Sequence, residues 1–131
     1  MKLLTEELRQ QLMANGAAQH GIDHTPLVRI FDPAGAAIWL ITEMELSKGG
    51  VTEPDRLFGL CDLGFGFPEL GFVSLAELEA VHGSLGIGLE RDLYFKARAP
   101  LSVYAEAARF YGRVVETGAA LTDAARRLRG R

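Results

Sequence analysis

Carboxylates flank the most unusual stretch of this sequence, a glycine-rich run at residues 64–68. Asp62 precedes the run, Glu69 follows it, and Glu43 ends a neighbouring apolar segment. Carboxylates that converge near a bend can bind a divalent cation or act as general acid and base. More often they are solvated, or they accept hydrogen bonds from backbone N–H groups in a turn. We therefore expect solvated or turn-capping acids, and we keep a small metal-dependent enzyme that uses clustered carboxylates as an alternative.

Two histidines and an acid suggest a second metal site. His20, Asp23 and His24 carry side chains that ligate metals, and they could meet on one loop. Gly21 and Pro26 argue against a helix that would place the two histidines on one face. No established metal-binding motif has this pattern. The sequence favours a solvated connector here, and we predict no cofactor.

The only cysteine, Cys61, lies in a β-rich run. A nucleophilic cysteine would need a base beside it, whereas a free cysteine is more often a small buried residue, which is what we expect. A single cysteine excludes an intrachain disulfide and is typical of a cytoplasmic protein. No stretch approaches the roughly 18 consecutive apolar residues of a membrane span, so we expect no membrane partner.

The glycine-rich run itself reads Gly-Phe-Gly-Phe-Pro. It matches neither the dinucleotide fingerprint nor the Walker A loop. We expect a bend in which the glycines take positive φ and the phenylalanines enter the core. The alternative is that Phe65 or Phe67 points outward and forms a contact surface with the neighbouring acids. Trp39 is either an interaction anchor or, in the middle of an apolar run, a core residue.

Charge is modest over the whole chain and concentrated at one end. The net charge is −3, with a pI near 5.6, so no overall field would attract a polyanion. Arg126, Arg127 and Arg129 nevertheless form a basic cluster that could contact nucleic acid. Cations also suit the C-terminal end of a helix dipole. We predict a single domain at residues 1–118, followed by a short basic helical tail at residues 119–131.

Periodicity and turn signals define the remaining elements. Apolar alternation predicts strands at residues 27–31, 37–43, 57–63, 70–73 and 87–95. Thr5, Ser74 and Pro100 have the positions of helix starts, and Gly16 has the position of a helix stop. The fold class is therefore α+β, a largely antiparallel sheet of four to five strands with three to four packed helices.

Four runs of the sequence resemble the domain of unknown function 2958 family, and the likeness extends over residues 3–104. They are Trp39-Leu40-Ile41-Thr42-Glu43, then residues 58–71, residues 73–78, and Glu90-Arg91-Asp92-Leu93-Tyr94-Phe95. The resemblance implies a small bacterial protein of the kind often carried on plasmids and other mobile elements. It implies no activity and no set of functional residues.

These observations favour a binding function, since the sequence contains no recognisable set of catalytic residues. We expect a small non-enzymatic accessory or regulatory binding protein of a bacterial mobile element that acts through contacts with another protein. Nucleic-acid binding is kept as a further alternative beside the enzyme. The candidate contact residues are Trp39, Glu43, Asp62, Phe65, Phe67 and Glu69.

Overall fold

The computed structural model of the chain describes residues 2–47, 55–81 and 86–131. The strands are β1 (Val28–Phe31), β2 (Ile38–Glu45), β3 (Arg56–Asp62), β4 (Glu69–Ser74) and β5 (Glu90–Arg91). The helices are α1 (Glu6–Ala17), α2 (Leu75–Ala80), α3 (Leu101–Tyr111) and α4 (Gly118–Arg129). All strand pairs are antiparallel, in the order β4-β3-β2-β1-β5. The α+β architecture is confirmed, and β2 is the central strand, as its apolar sequence predicts.

Helices cover both faces of the sheet. Alternate residues of β2 point to opposite sides, so this strand contributes apolar side chains to a core on each face. Trp39 and Ile41 belong to the first core, which α1 and α2 close with Leu12, Leu75 and Leu78. Leu40 belongs to the second core, which α3 and α4 close with Tyr104, Ala108 and Leu121. The protein therefore has three layers, with the sheet between two pairs of helices.

Capping residues that are local in sequence start the helices where expected. The Thr5 hydroxyl accepts the backbone N–H of Leu8, and the Ser74 hydroxyl accepts that of Glu77. Each bond satisfies one of the donors that a helix leaves free at its first turn. Because Ser74 also ends β4, the edge strand leads directly into α2.

Two glycines allow the backbones of neighbouring elements to approach closely. A Cβ on Gly16 would overlap the carbonyl oxygen of Met44, where α1 crosses β2. A Cβ on Gly59 would overlap the carbonyl oxygen of Leu40 on the adjacent strand. The expectation that Gly16 ends the helix is wrong, since α1 continues to Ala17. The glycine is needed for contact with the sheet rather than for a left-handed turn.

The strand predicted at residues 87–95 is much shorter than its alternation suggests. Only Glu90 and Arg91 form β5, opposite Phe31 and Ile30. The Asp92 carboxylate then accepts the backbone N–H of Tyr94, at 2.9 Å, and turns the chain. A local side-chain bond to the backbone thus replaces further strand pairing.

The basic C-terminal segment is an integral part of the second helical layer. It forms α4, and Leu121 and Ala124 of this helix lie in the second core. The helix packs against α3. In the part of the chain that the structure describes, no helix is long and apolar enough to cross a membrane.

Candidate functional site

A buried carboxylate fixes the glycine-rich bend between β3 and β4. One oxygen of Asp62 accepts the backbone N–H of Gly64 at 2.8 Å, and the other accepts that of Val114 at 2.9 Å. Val114 follows α3, so the carboxylate ties the bend to the second helical layer. The side chain is only 2% exposed. Asp62 therefore supports the bend, and both of its carboxylate oxygens already accept backbone N–H groups of the chain itself.

The two glycines of the bend turn its phenylalanines outward. Gly64 and Gly66 have φ values of 89° and 91°, a region that side chains strongly disfavour. Phe65 and Phe67 are 79% and 80% exposed. The expectation of positive φ is confirmed, and the expectation that these rings enter the core is wrong. The alternative of an outward-facing bend matches the structure.

A second pair of aromatic rings lies beside the bend, at the end of α3. Gly112, with φ of 74°, ends the helix in the left-handed conformation, and a Cβ there would lie 3.5 Å from the carbonyl oxygen of Gly66. Phe110 and Tyr111 directly precede this contact and pack edge to face, with ring centroids 5.1 Å apart. The aromatic surface, as we name it, consists of Leu63, Phe65, Phe67, Phe110 and Tyr111, all of them exposed.

A depression separates the bend from the chain that follows α3. It encloses about 330 Å³ and is lined by Ala36, Ile38, Gly64, Gly66 and Val114, with Asp62 and Arg113 as its charged residues. Because the Asp62 oxygens are already bonded to backbone N–H groups, the depression is mainly apolar in character. A volume of this size lies at the lower end of the range for small-molecule sites, and it also accommodates a side chain inserted from outside.

An ion cluster around a buried carboxylate holds α4 against α3 behind the aromatic surface. Glu106 is 4% exposed and accepts hydrogen bonds from Arg109, Arg127 and Arg131, with the Arg127 bond at 3.0 Å. The bond from Arg127 first, and then the charges of Arg131 and Arg109, lower the pKa of Glu106 despite its burial. The Arg127 guanidinium also stacks on the Phe110 ring, 4.3 Å from its centroid.

The predicted basic cluster therefore divides into structural and exposed members. Arg127 is engaged by Glu106 and Phe110, and its assignment as a nucleic-acid contact stays a prediction. Arg126 is exposed and lies 3.3 Å from Asp123, and Arg129 is exposed at the end of α4. Residues 101–131 carry six arginines and three acids, a net +3, whereas the first 100 residues carry eight basic and fourteen acidic residues, a net −6. The second helical layer is thus the cationic side of an acidic protein.

The three candidate carboxylates do not form one site. Glu43 pairs with Phe58, and Asp62 lies four residues farther along β3. At about 3.3 Å per residue, this places Glu43 and Asp62 on the order of 13 Å apart along the strands. Glu69 is exposed opposite Cys61 at the bend end. The sheet register thus separates Glu43 from Asp62 and Glu69.

The pKa of the Cys61 thiol is raised to about 11, first by burial and then by the negative charge of Glu69. The thiol is therefore protonated near neutral pH, whereas the nucleophile is the thiolate.

The histidine segment supports the start of α3. Asp23 accepts both the backbone N–H and the hydroxyl of Ser102, and the His24 carbonyl accepts the N–H of Leu101. The His24 ring lies 3.9 Å from the Glu43 carboxylate, and His20 is exposed. Among the described residues, no group of three or more His, Cys, Asp or Glu side chains could hold a metal ion. The proposed ligands His20, Asp23 and His24 are therefore not brought together.

The remaining candidate, Trp39, is 5% exposed within the first core, so its assignment as a binding anchor is also corrected. The sequence interpretation missed Phe110, Tyr111 and Glu106. The available signals were an aromatic pair directly before Gly112 and an acid within the apolar run of residues 103–108.

Comparison with known proteins gives a family and no activity. No curated protein and no solved structure matches the chain. A family model described as a protein of unknown function (DUF2958) matches residues 3–115, which end before α4 begins at Gly118. The match covers the whole sheet, the bend and the aromatic residues of α3. The chain therefore belongs to the DUF2958 family.

Proposed function

We propose that this protein is a non-enzymatic binding protein that contacts another protein through the aromatic surface. The observation that carries the proposal is the exposure of Phe65 and Phe67, about four-fifths each, on a bend fixed by Asp62. Soluble monomers rarely expose contiguous apolar patches without a function. Aromatic side chains on a fixed support lose little conformational entropy on binding and are the usual anchors of interfaces.

Charge near this surface favours an acidic partner segment. Arg109 and Arg113 are exposed and flank Phe110 and Tyr111 in sequence. The net charge of +3 on residues 101–131 contrasts with the acidic remainder of the chain. Complementary charge at the rim of an interface raises the association rate and selects among partners. The partner segment we propose therefore combines apolar side chains, for the rings and the depression, with carboxylates for the arginines.

A narrower proposal places this binding protein in a bacterial mobile element, as an accessory or regulatory factor. The resemblance to the family is what supports it. Among the alternatives, an enzyme has the weaker support, because the carboxylates are separated by the sheet register. Single-stranded nucleic acid has stronger support than an enzyme, since binding proteins of that class combine exposed rings with arginines. Here the exposed Arg109 and Arg113 flank Phe110 and Tyr111.

A comparison of matched variants tests the proposal. A photo-crosslinking residue is introduced at Phe67 and, as a control, at Tyr94, which is 92% exposed away from the aromatic surface. We expect a protein captured from Phe67 and absent from Tyr94. The purified partner is then titrated against the wild type, against the double variant Phe65→Ala and Phe67→Ala, and against Tyr94→Ala. Loss of two interface anchors should weaken binding roughly a hundredfold, and the control should bind like the wild type.

Equal affinity of the double variant and the wild type for that partner would overturn the assignment of the surface. The nucleic-acid alternative is tested with a labelled single-stranded oligonucleotide at increasing salt concentration. Binding that falls steeply with salt, and that Arg126→Glu and Arg129→Glu abolish, would favour the alternative. Substitution is preferable to deletion of α4, because Leu121 and Ala124 belong to the core.

A further inference from the structure

We propose that β4 is the interface of a homodimer, in which its outer edge pairs antiparallel with β4 of a second copy about a two-fold axis at Phe72. In the described part of the chain, β4 is an edge strand with β3 as its only strand neighbour. The proposal goes beyond the proposed function, since it uses the strand edge and not the aromatic surface.

The direction of the backbone groups follows from one hydrogen bond. The N–H of Leu75 donates to the carbonyl of Asp55 at 3.1 Å, and these residues continue the register that pairs Ser74 with Arg56. In antiparallel strands, hydrogen-bonded pairs alternate with pairs whose backbone groups point away. Val73, Gly71 and Glu69 therefore bond to β3. Leu70 and Phe72 direct their N–H and C=O groups to the free edge. Ser74 directs only its N–H there, because its carbonyl accepts the first hydrogen bond of α2.

The two edges of the sheet differ in how they are protected. Edge strands of soluble proteins are usually short, charged, bulged or interrupted by proline. The opposite edge, β5, has two residues, Glu90 and Arg91, and both are charged. In contrast, β4 has six residues in continuous register with β3, and its only charged residue, Glu69, is at one end. The β4 edge thus lacks the features that prevent pairing with another strand.

The outward residues are symmetric about Phe72, which makes β4 complementary to itself. A two-fold axis there places Phe72 opposite its copy, with two hydrogen bonds, and Leu70 opposite Ser74, whose N–H donates to the Leu70 carbonyl. In the same register, Gly71 faces Val73, and a Cβ on Gly71 would meet nothing within 4 Å in the single chain, which leaves room for the valine. Glu69 faces Leu75, so no like charges are opposed.

The side chains on one face of β4 support the same arrangement. Leu70 and Phe72 are 47% and 46% exposed, beyond the area that α3 and α4 cover. Phe72 already contacts Phe58, with ring centroids 5.0 Å apart. In the dimer, the two copies of Phe72 would be neighbours, and four phenylalanines would form a row across the axis. Cross-strand aromatic pairs of this kind stabilise strand pairing.

The dimer is tested by sedimentation at increasing concentration of the full chain. We expect the mass to rise from 14.3 kDa toward twice that value. Phe72→Pro removes an outward N–H that β3 does not use, and Phe72→Lys places two like charges at the axis. Both variants should raise the concentration at which the dimer forms by at least tenfold. Leu93→Lys, at an exposed site elsewhere, should leave that concentration unchanged. A monomer at every concentration, or a dimer that resists both Phe72 variants, would overturn the proposal.

A cross-link tests the register independently of affinity. In a hydrogen-bonded antiparallel pair the Cα atoms lie about 5.5 Å apart, within the range of a disulfide. Phe72→Cys in a Cys61→Ala background should therefore form a covalent dimer on mild oxidation, and Tyr94→Cys in the same background should not. Equal cross-linking at both positions would contradict the two-fold axis at Phe72. The double variant of Phe65 and Phe67 should remain a dimer, so failure of the partner proposal and failure of this one are distinguishable.

Discussion

Two adjacent regions of the chain, residues 59–62 and residues 63–67, have opposite physical roles. Gly59, Leu60 and Asp62 lie inside the protein, with Leu60 in the second core and Asp62 bonded to distant backbone. Leu63, Phe65 and Phe67 are exposed. The change occurs within one residue, at the end of β3. The buried region fixes the position of the exposed one. Substitutions in the buried region should therefore lower stability, and substitutions in the exposed region should weaken binding.

The largest effect on stability is expected for Gly59→Ala. The added Cβ overlaps the carbonyl oxygen of Leu40 on the central strand, and backbone cannot move aside as a side chain can. We expect a loss of about 3 kcal/mol in the free energy of unfolding. The measurement is urea denaturation, with Gly71→Ala as the control. Gly71 is the cross-strand partner of Gly59, but its Cβ position is open.

The Gly71→Ala control should change stability by less than about 1 kcal/mol. Equal losses for the two variants would contradict the close approach of β3 and β2 at this position.

A smaller loss is expected for Asp62→Ala, which leaves the N–H groups of Gly64 and Val114 without their acceptor, that of Val114 in a buried position. An unsatisfied buried donor costs roughly 1–3 kcal/mol. We expect about 2 kcal/mol by denaturation, and roughly half of this for Asp62→Asn, which keeps one acceptor oxygen. If the Asn variant were as stable as the wild type and the Ala variant too, Asp62 would not fix the bend.

Glu106 supports the second half of the aromatic surface, because it binds Arg127, which stacks on Phe110. Because the arginines lower its pKa in the folded state, the carboxylate stabilises the fold above its unfolded pKa of about 4.3, and this contribution is lost as pH falls through the lower folded value. Glu106→Gln should lower the melting temperature by roughly 5 °C at pH 7. The difference from the wild type should shrink as the pH falls below about 4.

The control for this prediction is Asp123→Asn, which alters an exposed ion pair with Arg126 and should change little. A difference in melting temperature between Glu106→Gln and the wild type that stays constant from pH 7 to pH 3 would contradict the charge-based role of the cluster.

Features set by local sequence could be predicted, and features set by distant contacts could not. The caps at Thr5 and Ser74 and the central position of β2 follow from neighbouring residues and apolar pattern. The hydrogen bond from Val114 to Asp62 spans 52 residues, and no sequence pattern indicates it. Likewise, the engagement of Arg127 depends on where α4 crosses α3.

The exposure of Phe65 and Phe67 was misjudged for a related reason. Hydrophobicity predicts burial on average, but the positive φ values of Gly64 and Gly66 set the direction of these side chains. Position in the sheet also matters, because the bend leads to an edge strand that the helices leave uncovered. Neither the side-chain direction nor the uncovered edge is visible without the fold.

The smallest effect on stability, and the largest on binding, is expected for the double variant Phe65→Ala and Phe67→Ala. Both rings are exposed, so the free energy of unfolding should change by less than about 0.5 kcal/mol. The decisive measurement is the affinity of this folded variant for the partner that cross-links from Phe67. We predict that binding is lost while the melting temperature is unchanged. Wild-type affinity in the folded variant would contradict the account.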